Sequence, residues 1–141
     1  ERVLDLGCGS GILSIAALTL GAASAAAVDI DDKCLTVAYE NAALNGIGRD
    51  RYTVLVGDAV SDRALKAQLG GGYDIVVDNI VADVIIGLAP SVRQFLKPGG
   101  LFLCSGIIDT RADEVADALR HAGWTIEDTR SGEGWYSYTC R

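Results

Sequence analysis

Short apolar runs alternate along the chain with segments whose apolar residues recur at helical spacing. The first runs are almost entirely apolar and are bounded by turn residues, which is typical of strands that are covered on both faces of a sheet. Five strands are predicted within Arg2–Leu6, Ala25–Asp32, Tyr52–Val60, Tyr73–Asp78 and Leu101–Ser105. Because a helix-like segment follows each of them, the pattern favours parallel strands joined by crossover helices.

The segments between the strands predict the helices. Ile12–Leu20 and Arg63–Leu69 are two of them, and the helix after Asp78 is predicted to be bent or interrupted at Pro90, which lacks a backbone N–H. Two further helices carry apolar faces marked by residues at helical spacing, namely Leu35, Ala38, Tyr39 and Ala42 in one and Val115, Ala118, Leu119 and Ala122 in the other.

Polar residues and glycines predict where these elements begin and end. Asp31 or Asp32 stands where the N-cap of one helix belongs, and Thr110 is in the same position before a later helix. The segment Lys97–Gly100, with the sequence KPGG, is predicted to be a turn.

The chain ends in two apolar runs with no helix between them. Trp124–Asp128 and Trp135–Cys140 are predicted strands, separated by the turn sequence RSGEG at Arg130–Gly134. Two consecutive strands joined by a short turn pair antiparallel. The whole pattern therefore predicts one α/β domain, a doubly wound, mostly parallel sheet of seven strands with an antiparallel strand at its end.

Composition narrows the possible partners and the compartment. Half of the 141 residues are apolar, and the net charge of −7 argues against binding nucleic acid through a basic surface. No apolar run reaches the length of a membrane span, so no membrane partner is expected. The four cysteines, at positions 8, 34, 104 and 140, show no C-x-x-C spacing. We therefore expect reduced thiols in a cytoplasmic protein and no metal site.

Three glycines at alternate positions join the first strand to the first helix. Gly7, Gly9 and Gly11 are more than a tight turn requires. Glycines at such a junction let the backbone pass close to a ligand and direct the free N–H groups of the following helix towards it. In doubly wound sheets, ligands bind at this carboxyl edge. The loop therefore predicts a ligand site rather than a turn with nothing bound.

Two acidic residues indicate which ligand this is. Asp29 follows Gly7 by 22 residues, at the end of the second strand, where a carboxylate can accept both hydroxyls of a ribose. Asp58 ends the third strand and can accept a hydrogen bond from an adenine amine, or it is simply a turn residue. A nicotinamide dinucleotide is disfavoured, because Ile12 occupies the third glycine position of G-x-G-x-x-G.

The stretches VLDLGCGSG and AVDID together resemble the S-adenosylmethionine site of the seven-stranded, class I methyltransferases. The resemblance covers essentially the whole chain. It implies S-adenosylmethionine as cofactor, S-adenosylhomocysteine as product and no metal. It also implies the strand order 3-2-1-4-5-7-6 with an antiparallel seventh strand, and cofactor binding by Gly7, Gly9, Asp29 and Asp58.

Five further short matches in the same order are more specific. The N-I-x-A pattern at Asn79, with LAP, LKPGG, SGI and a late EGW, resembles the ribosomal protein L11 methyltransferase family. This resemblance implies methyl transfer to amine nitrogens, the lysine side chains and terminal amine of a ribosomal protein, with that protein as partner. Without this resemblance, the sequence patterns leave two alternatives open: a methyltransferase acting on another amine or small molecule, and a noncatalytic nucleotide-binding module.

Asn79 is the candidate catalytic residue, because the end of the fourth strand faces the transferable methyl group in this fold. Its side-chain oxygen can orient the attacking amine, and the residue can also contact the methionine part of the cofactor. The alternative is a loop residue that caps the next helix. Asp78 departs from the family, which usually has a small residue here; since a nearby carboxylate would stabilise the ammonium form of the amine, we expect Asp78 to point away.

The chain opens at a predicted core strand and does not begin with Met, which suggests a piece of a longer protein. Residues 1–141 are then expected to form the catalytic domain alone. In the family that it resembles, a small substrate-recruiting domain, a linker and a further cofactor-binding loop precede the first strand, and none of them is in this chain.

Overall fold

The computed structural model describes residues 1–141 and forms one seven-stranded sheet flanked by helices. The strands are β1 Arg2–Leu6, β2 Ser24–Asp29, β3 Tyr52–Val56, β4 Tyr73–Asn79, β5 Leu96–Ile108, β6 Ile126–Gly132 and β7 Trp135–Cys140. The α-helices are α1 Ile12–Thr19, α2 Lys33–Leu44, α3 Arg63–Leu69, α4 Ala82–Leu88 and α5 Ala112–His121. Two short 3₁₀ helices cover Val92–Phe95 and Asp109–Arg111.

The strand order is β3-β2-β1-β4-β5-β7-β6, which confirms the predicted fold class and topology. The first five strands pair in parallel, whereas β7 is antiparallel to both β5 and β6. The β6–β7 hairpin turns on only two residues, Glu133 and Gly134, both with positive φ. The strand β6 therefore extends to Gly132, through part of the sequence predicted to be the turn, because a two-residue turn of this kind matches the strand twist.

Most predicted helix features are confirmed. On α2, Ala38 and Ala42 are fully buried, and α4 ends at Leu88, shortly before Pro90. Of the two predicted cap residues, Asp31 makes the hydrogen bond: its Oδ1 accepts the Lys33 N–H at 3.0 Å, and Asp32 makes no side-chain cap bond.

Two local predictions are wrong. The segment Lys97–Gly100 lies within β5, where the five residues from Leu96 to Gly100 oppose two residues of β4 before Leu101 pairs with Ile75. Thr110 does not cap α5, because the chain enters that helix through a 3₁₀ turn in which the carbonyl of Asp109 accepts the N–H of Ala112. In both segments main-chain hydrogen bonds pair the backbone N–H and C=O groups, so neither a capping hydroxyl nor a separate turn is needed.

The core lies on both faces of the sheet. One face packs against α4 and α5 through residues such as Val76, Ile85 and Leu119, and the other packs β1–β3 against α1 and α2. The four cysteines are free, and no helix is long and apolar enough to cross a membrane. This layering leaves the carboxyl ends of the parallel strands open at one edge of the sheet, where the candidate site lies.

Candidate functional site

The loops that follow β1, β2, β3 and β4 enclose a cleft at the carboxyl edge of the sheet. Its empty volume is about 520 Å³, a figure that includes space open to solvent. Gly7, Asp29 and Asp58 all line it, so the structure brings together three of the five residues predicted for the site. Apolar side chains, including Ile30 and Val60, form most of the remaining wall.

The glycine loop is held by main-chain hydrogen bonds and by close packing. The N–H groups of Gly7 and Cys8 both donate to the carbonyl of Val28, at 2.8 and 2.9 Å. Gly7 has φ +75°, and a Cβ built on it would lie 2.4 Å from Cγ2 of Ile80. Gly9 has φ +53°, but a Cβ there would meet nothing within 4 Å. Glycine at position 7 is therefore needed for packing as well as conformation, and Gly9 borders open space.

Asp29 connects the end of β2 to this loop. Its Oδ2 accepts the N–H of Gly9 at 2.9 Å, and its Oδ1 accepts the N–H of Asp31 at 3.0 Å. Asp29 does not bond the first N–H groups of α2, a role that Asp31 fills at Lys33. Since each carboxylate oxygen accepts more than one hydrogen bond, both remain able to accept a hydroxyl from the cleft.

Asp58 is a turn residue that also lines the cleft. Its Oδ1 accepts the N–H of Val60 at 2.8 Å, which makes it a turn residue. It is also half-buried and lines the cleft between Gly57 and Ala59. The turn therefore orients the carboxylate without removing it from the cleft.

Asn79 ends β4 at the rim of the cleft, next to the cleft residue Ile80, and its side chain is exposed. A Cβ on Gly106 of β5 would lie 2.4 Å from Oδ1 of Asn79, so the absence of that Cβ leaves room for the amide. The helix α4 begins at Ala82, and its N-cap, Val81, makes no side-chain cap bond. Asn79 therefore does not cap α4, and the alternative role considered for it is wrong.

Asp78 does not line the cleft, although its pairing partner Leu6 and residues of α4 do. Successive residues of a strand face opposite sides of the sheet, and Asp78 lies on the α4–α5 side beside its pairing partners Leu6 and Cys104. It is 1% exposed, and neither carboxylate oxygen has a hydrogen-bond partner. Burial raises the pKa of Asp78 well above its usual value, so the group is held in its neutral form more readily than an ordinary carboxyl.

A second buried carboxyl, that of Asp5, was not predicted from the sequence to belong to the site. Asp5 is 1% exposed, and its Oδ2 accepts the N–H and the hydroxyl of Ser14 at 3.2 and 2.8 Å. Burial raises the pKa of Asp5 to about 6, although the bonds from Ser14 oppose that rise. The hydroxyl of Ser14 also lies 2.8 Å from that of Tyr52. A serine in the otherwise apolar start of α1 could have predicted a buried polar contact there. Nothing in the sequence indicates that Tyr52 takes part in it.

A protein-family model, described as ribosomal protein L11 methyltransferase (PrmA), matches residues 1–141. A curated relative named ribosomal protein L11 methyltransferase, from Agathobacter rectalis, is 45% identical over 141 residues, covering 99% of this chain and 43% of the relative. One with the same name from Lachnoclostridium phytofermentans is 38% identical over 153 residues, covering 99% and 46%. The chain spans less than half the length of the curated relatives it matches.

Among solved structures, one shows the same relationship and another shares the fold. The crystal structure of a ribosomal protein L11 methylase from Lactobacillus delbrueckii subsp. bulgaricus has a TM-score of 0.89 and 34% identity, covering 99% of this chain and 69% of that one. A SAM-dependent methyltransferase from Aquifex aeolicus has a TM-score of 0.77 at 16% identity, covering 99% and 80%, and so shares the fold alone.

Proposed function

The chain belongs to the ribosomal protein L11 methyltransferase family, and on that premise we propose that it transfers methyl groups from S-adenosylmethionine to amine nitrogens of ribosomal protein L11. The proposed acceptors are lysine side chains and the terminal amine. The observation that supports the proposal is the convergence of Gly7, Asp29 and Asp58 on one cleft, with Asn79 at its rim. Because ribosomal proteins are made and assembled in the cytoplasm, the proposal implies activity there.

The residues of the cleft fit an adenosyl group. The carboxylate of Asp29 retains acceptor capacity for ribose hydroxyls, and Asp58 offers an acceptor for the adenine amine. Ile30 is apolar yet 70% exposed at the cleft wall, so a flat adenine against it would remove apolar surface from water. Gly9 borders open space, which lets the main chain approach the cofactor.

The bound cofactor supplies a methyl group on a sulfonium, which is already a good electrophile. The protein therefore has mainly to hold an amine in line with that methyl group, a positioning task that few polar side chains can perform. The structure contains no cluster of three or more His, Cys, Asp or Glu side chains arranged to hold a metal ion.

Asn79 is proposed to orient the amine. A lysine has a pKa near 10.4 in water, so roughly one in a few thousand is neutral at pH 7. The oxygen of Asn79 accepts an N–H of the neutral amine and turns its lone pair towards the methyl group. Asp78 does not line the cleft, and burial raises its pKa well above the usual value, so its carboxyl favours the neutral form and is poorly suited to stabilise the ammonium.

Methylation of purified ribosomal protein L11 tests the proposal. The chain is incubated with L11 and S-adenosylmethionine, intact mass is recorded, and modified sites are mapped by peptide mass spectrometry. We expect mass increments of one or more methyl groups on lysine or terminal amines, and none with the Asp29→Ala variant. Transfer to small amines but never to L11 would favour a different acceptor. Binding of S-adenosylhomocysteine without any transfer would favour a noncatalytic module.

A further inference from the structure

A chain of buried hydroxyl and carboxyl groups runs beneath the glycine loop. Tyr52, at the start of β3, is 1% exposed, and its hydroxyl lies 2.8 Å from the hydroxyl of Ser14 in the first turn of α1. Ser14 is fully buried and bonds to Asp5 in β1. Side chains therefore join β1 and α1, which are neighbours in sequence, to the distant strand β3 at one point.

The direction of these hydrogen bonds follows from the available donors. An ionised carboxylate can only accept, so the hydroxyl of Ser14 donates to Oδ2 of Asp5, at 2.8 Å. The oxygen of Ser14 is then free to accept, and the hydroxyl of Tyr52 donates to it. Tyr52 thus completes the set of partners that fixes Ser14 and, through it, the start of α1.

Tyr52 also packs directly beneath the last glycine of the loop. A Cβ built on Gly11 would lie 2.8 Å from the hydroxyl oxygen of Tyr52 and 3.2 Å from Cβ of Ala38. Gly11 has φ +86°, its N–H donates to the carbonyl of Cys8, and its carbonyl accepts the N–H of Ile15. The Tyr52 hydroxyl therefore lies against the residue at which the glycine loop becomes helix α1.

We propose that Tyr52 is a positioning residue for cofactor binding, whose hydroxyl, through Ser14 and its contact beneath Gly11, holds the glycine loop in the conformation that Gly9 and Asp29 require. The inference rests on the proposed function, because it assumes that S-adenosylmethionine and S-adenosylhomocysteine occupy the cleft beside this loop. Tyr52 does not line that cleft, so it acts on the ligand only through the loop.

Tyr73 provides a matched control. It is 4% exposed, and its hydroxyl donates at 2.8 Å to a main-chain carbonyl, that of Leu69. It lies at the amino end of β4, far from the edge that carries the glycine loop. Replacing either tyrosine with phenylalanine removes one buried hydrogen bond, but only Tyr52→Phe removes a bond connected to the loop.

The experiment compares Tyr52→Phe, Tyr73→Phe and the wild-type chain by three measurements. These are the Kd of S-adenosylhomocysteine by calorimetry, the melting temperature, and amide hydrogen exchange of Gly9, Gly11 and Ser14 without ligand. We expect both variants to melt at lower temperature. Only Tyr52→Phe should weaken binding, by roughly three- to tenfold, the range that the net loss of one hydrogen bond produces. Only Tyr52→Phe should speed exchange of the loop amides.

Ser14→Ala removes the same bond from its other side, together with the hydroxyl bond to Asp5, and is the substitute variant if Tyr52→Phe does not fold. In the double variant the two losses of affinity should not add, because each single change already breaks the shared bond. Wild-type binding and slow loop exchange in Tyr52→Phe would overturn the inference while leaving the proposed function intact. Failure of the wild-type chain to bind S-adenosylhomocysteine would overturn the proposed function, and this inference with it.

Discussion

Asp29 accepts the main-chain N–H of Gly9 at 2.9 Å, so the end of β2 is tied to the loop that follows β1. The two residues are 20 positions apart in sequence, and both were predicted to contact the cofactor. Their direct bond means that the acid has two tasks, since it sets the shape of the glycine loop and also presents acceptor oxygens to the cleft. A substitution at Asp29 or at Gly9 should therefore change cofactor binding in part through this one shared hydrogen bond.

Asp29→Ala should abolish most of the rise in melting temperature that S-adenosylhomocysteine causes. The variant loses the proposed acceptor for the ribose and the bond that holds Gly9. A ligand that binds only the folded state raises stability less when its affinity is lower. Asp31→Ala is the neighbouring control. It removes the cap contact at Lys33, with a cost of about 1 kcal/mol, but should keep the ligand-induced shift. An undiminished shift in Asp29→Ala would contradict its assignment.

Asn79→Ala should slow methyl transfer on the order of a hundredfold, because the group proposed to orient the amine is lost. The folded state should be little changed, since Asn79 does not cap α4. The measurement is single-turnover methylation of ribosomal protein L11 at saturating cofactor, with melting curves alongside. Asn45→Ala, which changes an exposed amide at the end of α2, is the control that should keep the full rate. A wild-type rate in Asn79→Ala would exclude the catalytic role.

Gly7→Ala should destabilise the protein more than Gly9→Ala. Both positions have positive φ, which costs an alanine about 1 kcal/mol, but only the Cβ at position 7 meets Ile80. That overlap should add about 1–3 kcal/mol. Urea denaturation measures the difference, and an Ile80→Ala background should remove most of the extra cost at position 7. Equal losses at the two glycines would show that the contact with Ile80 carries no strain.

Stability should rise as the pH is lowered from 8 to 5, because burial raises the pKa values of Asp5 and Asp78. The unfolded chain ionises Asp5 at its usual value of 3.8, whereas the folded chain keeps the proton up to about pH 6. Between these values the folded state binds more protons, so stability falls as pH rises through this window. For Asp5 the change between pH 8 and 5 amounts to about 1.4 kcal/mol, and it reaches about 3 kcal/mol only when the pH falls to its usual value of 3.8.

Asp78→Ala tests separately how much Asp78 contributes to the pH dependence of stability. Its stability relative to wild type should improve as the pH rises from 5 to 8, because the variant has no unpaired buried carboxyl to ionise. Asp74 gives the opposite sign, because Lys97 and the main-chain N–H of Arg2 lower its pKa. Asp74→Ala should therefore be less stable than wild type by a constant amount between pH 5 and 8, and the difference should shrink only as the pH falls below the usual value of 3.8. Urea denaturation at several pH values measures both, and a pH-independent difference for Asp78→Ala would contradict the argument.

Much of the fold was predictable because its signals are local. The alternation of strands and helices, the apolar face of α2 at Ala38 and Ala42, and the end of α4 before Pro90 each depend on residues close together in sequence. The strand order came from the resemblance of the glycine loop and the acidic strand ends to a known family. The same signals selected Gly7, Asp29 and Asp58, because carboxyl ends of neighbouring parallel strands meet at one edge.

The sequence by itself determined the α/β class, the placement of the glycine loop and the acids that face the cleft, since periodicity and turn chemistry act over a few residues. Only the tertiary structure decided that Ile80 packs over Gly7, that Tyr52 reaches Ser14 beneath the loop, and that Asp78 is buried without a partner. Each of these facts depends on strands and helices from distant parts of the chain, and their contacts exist only once the sheet has brought them together.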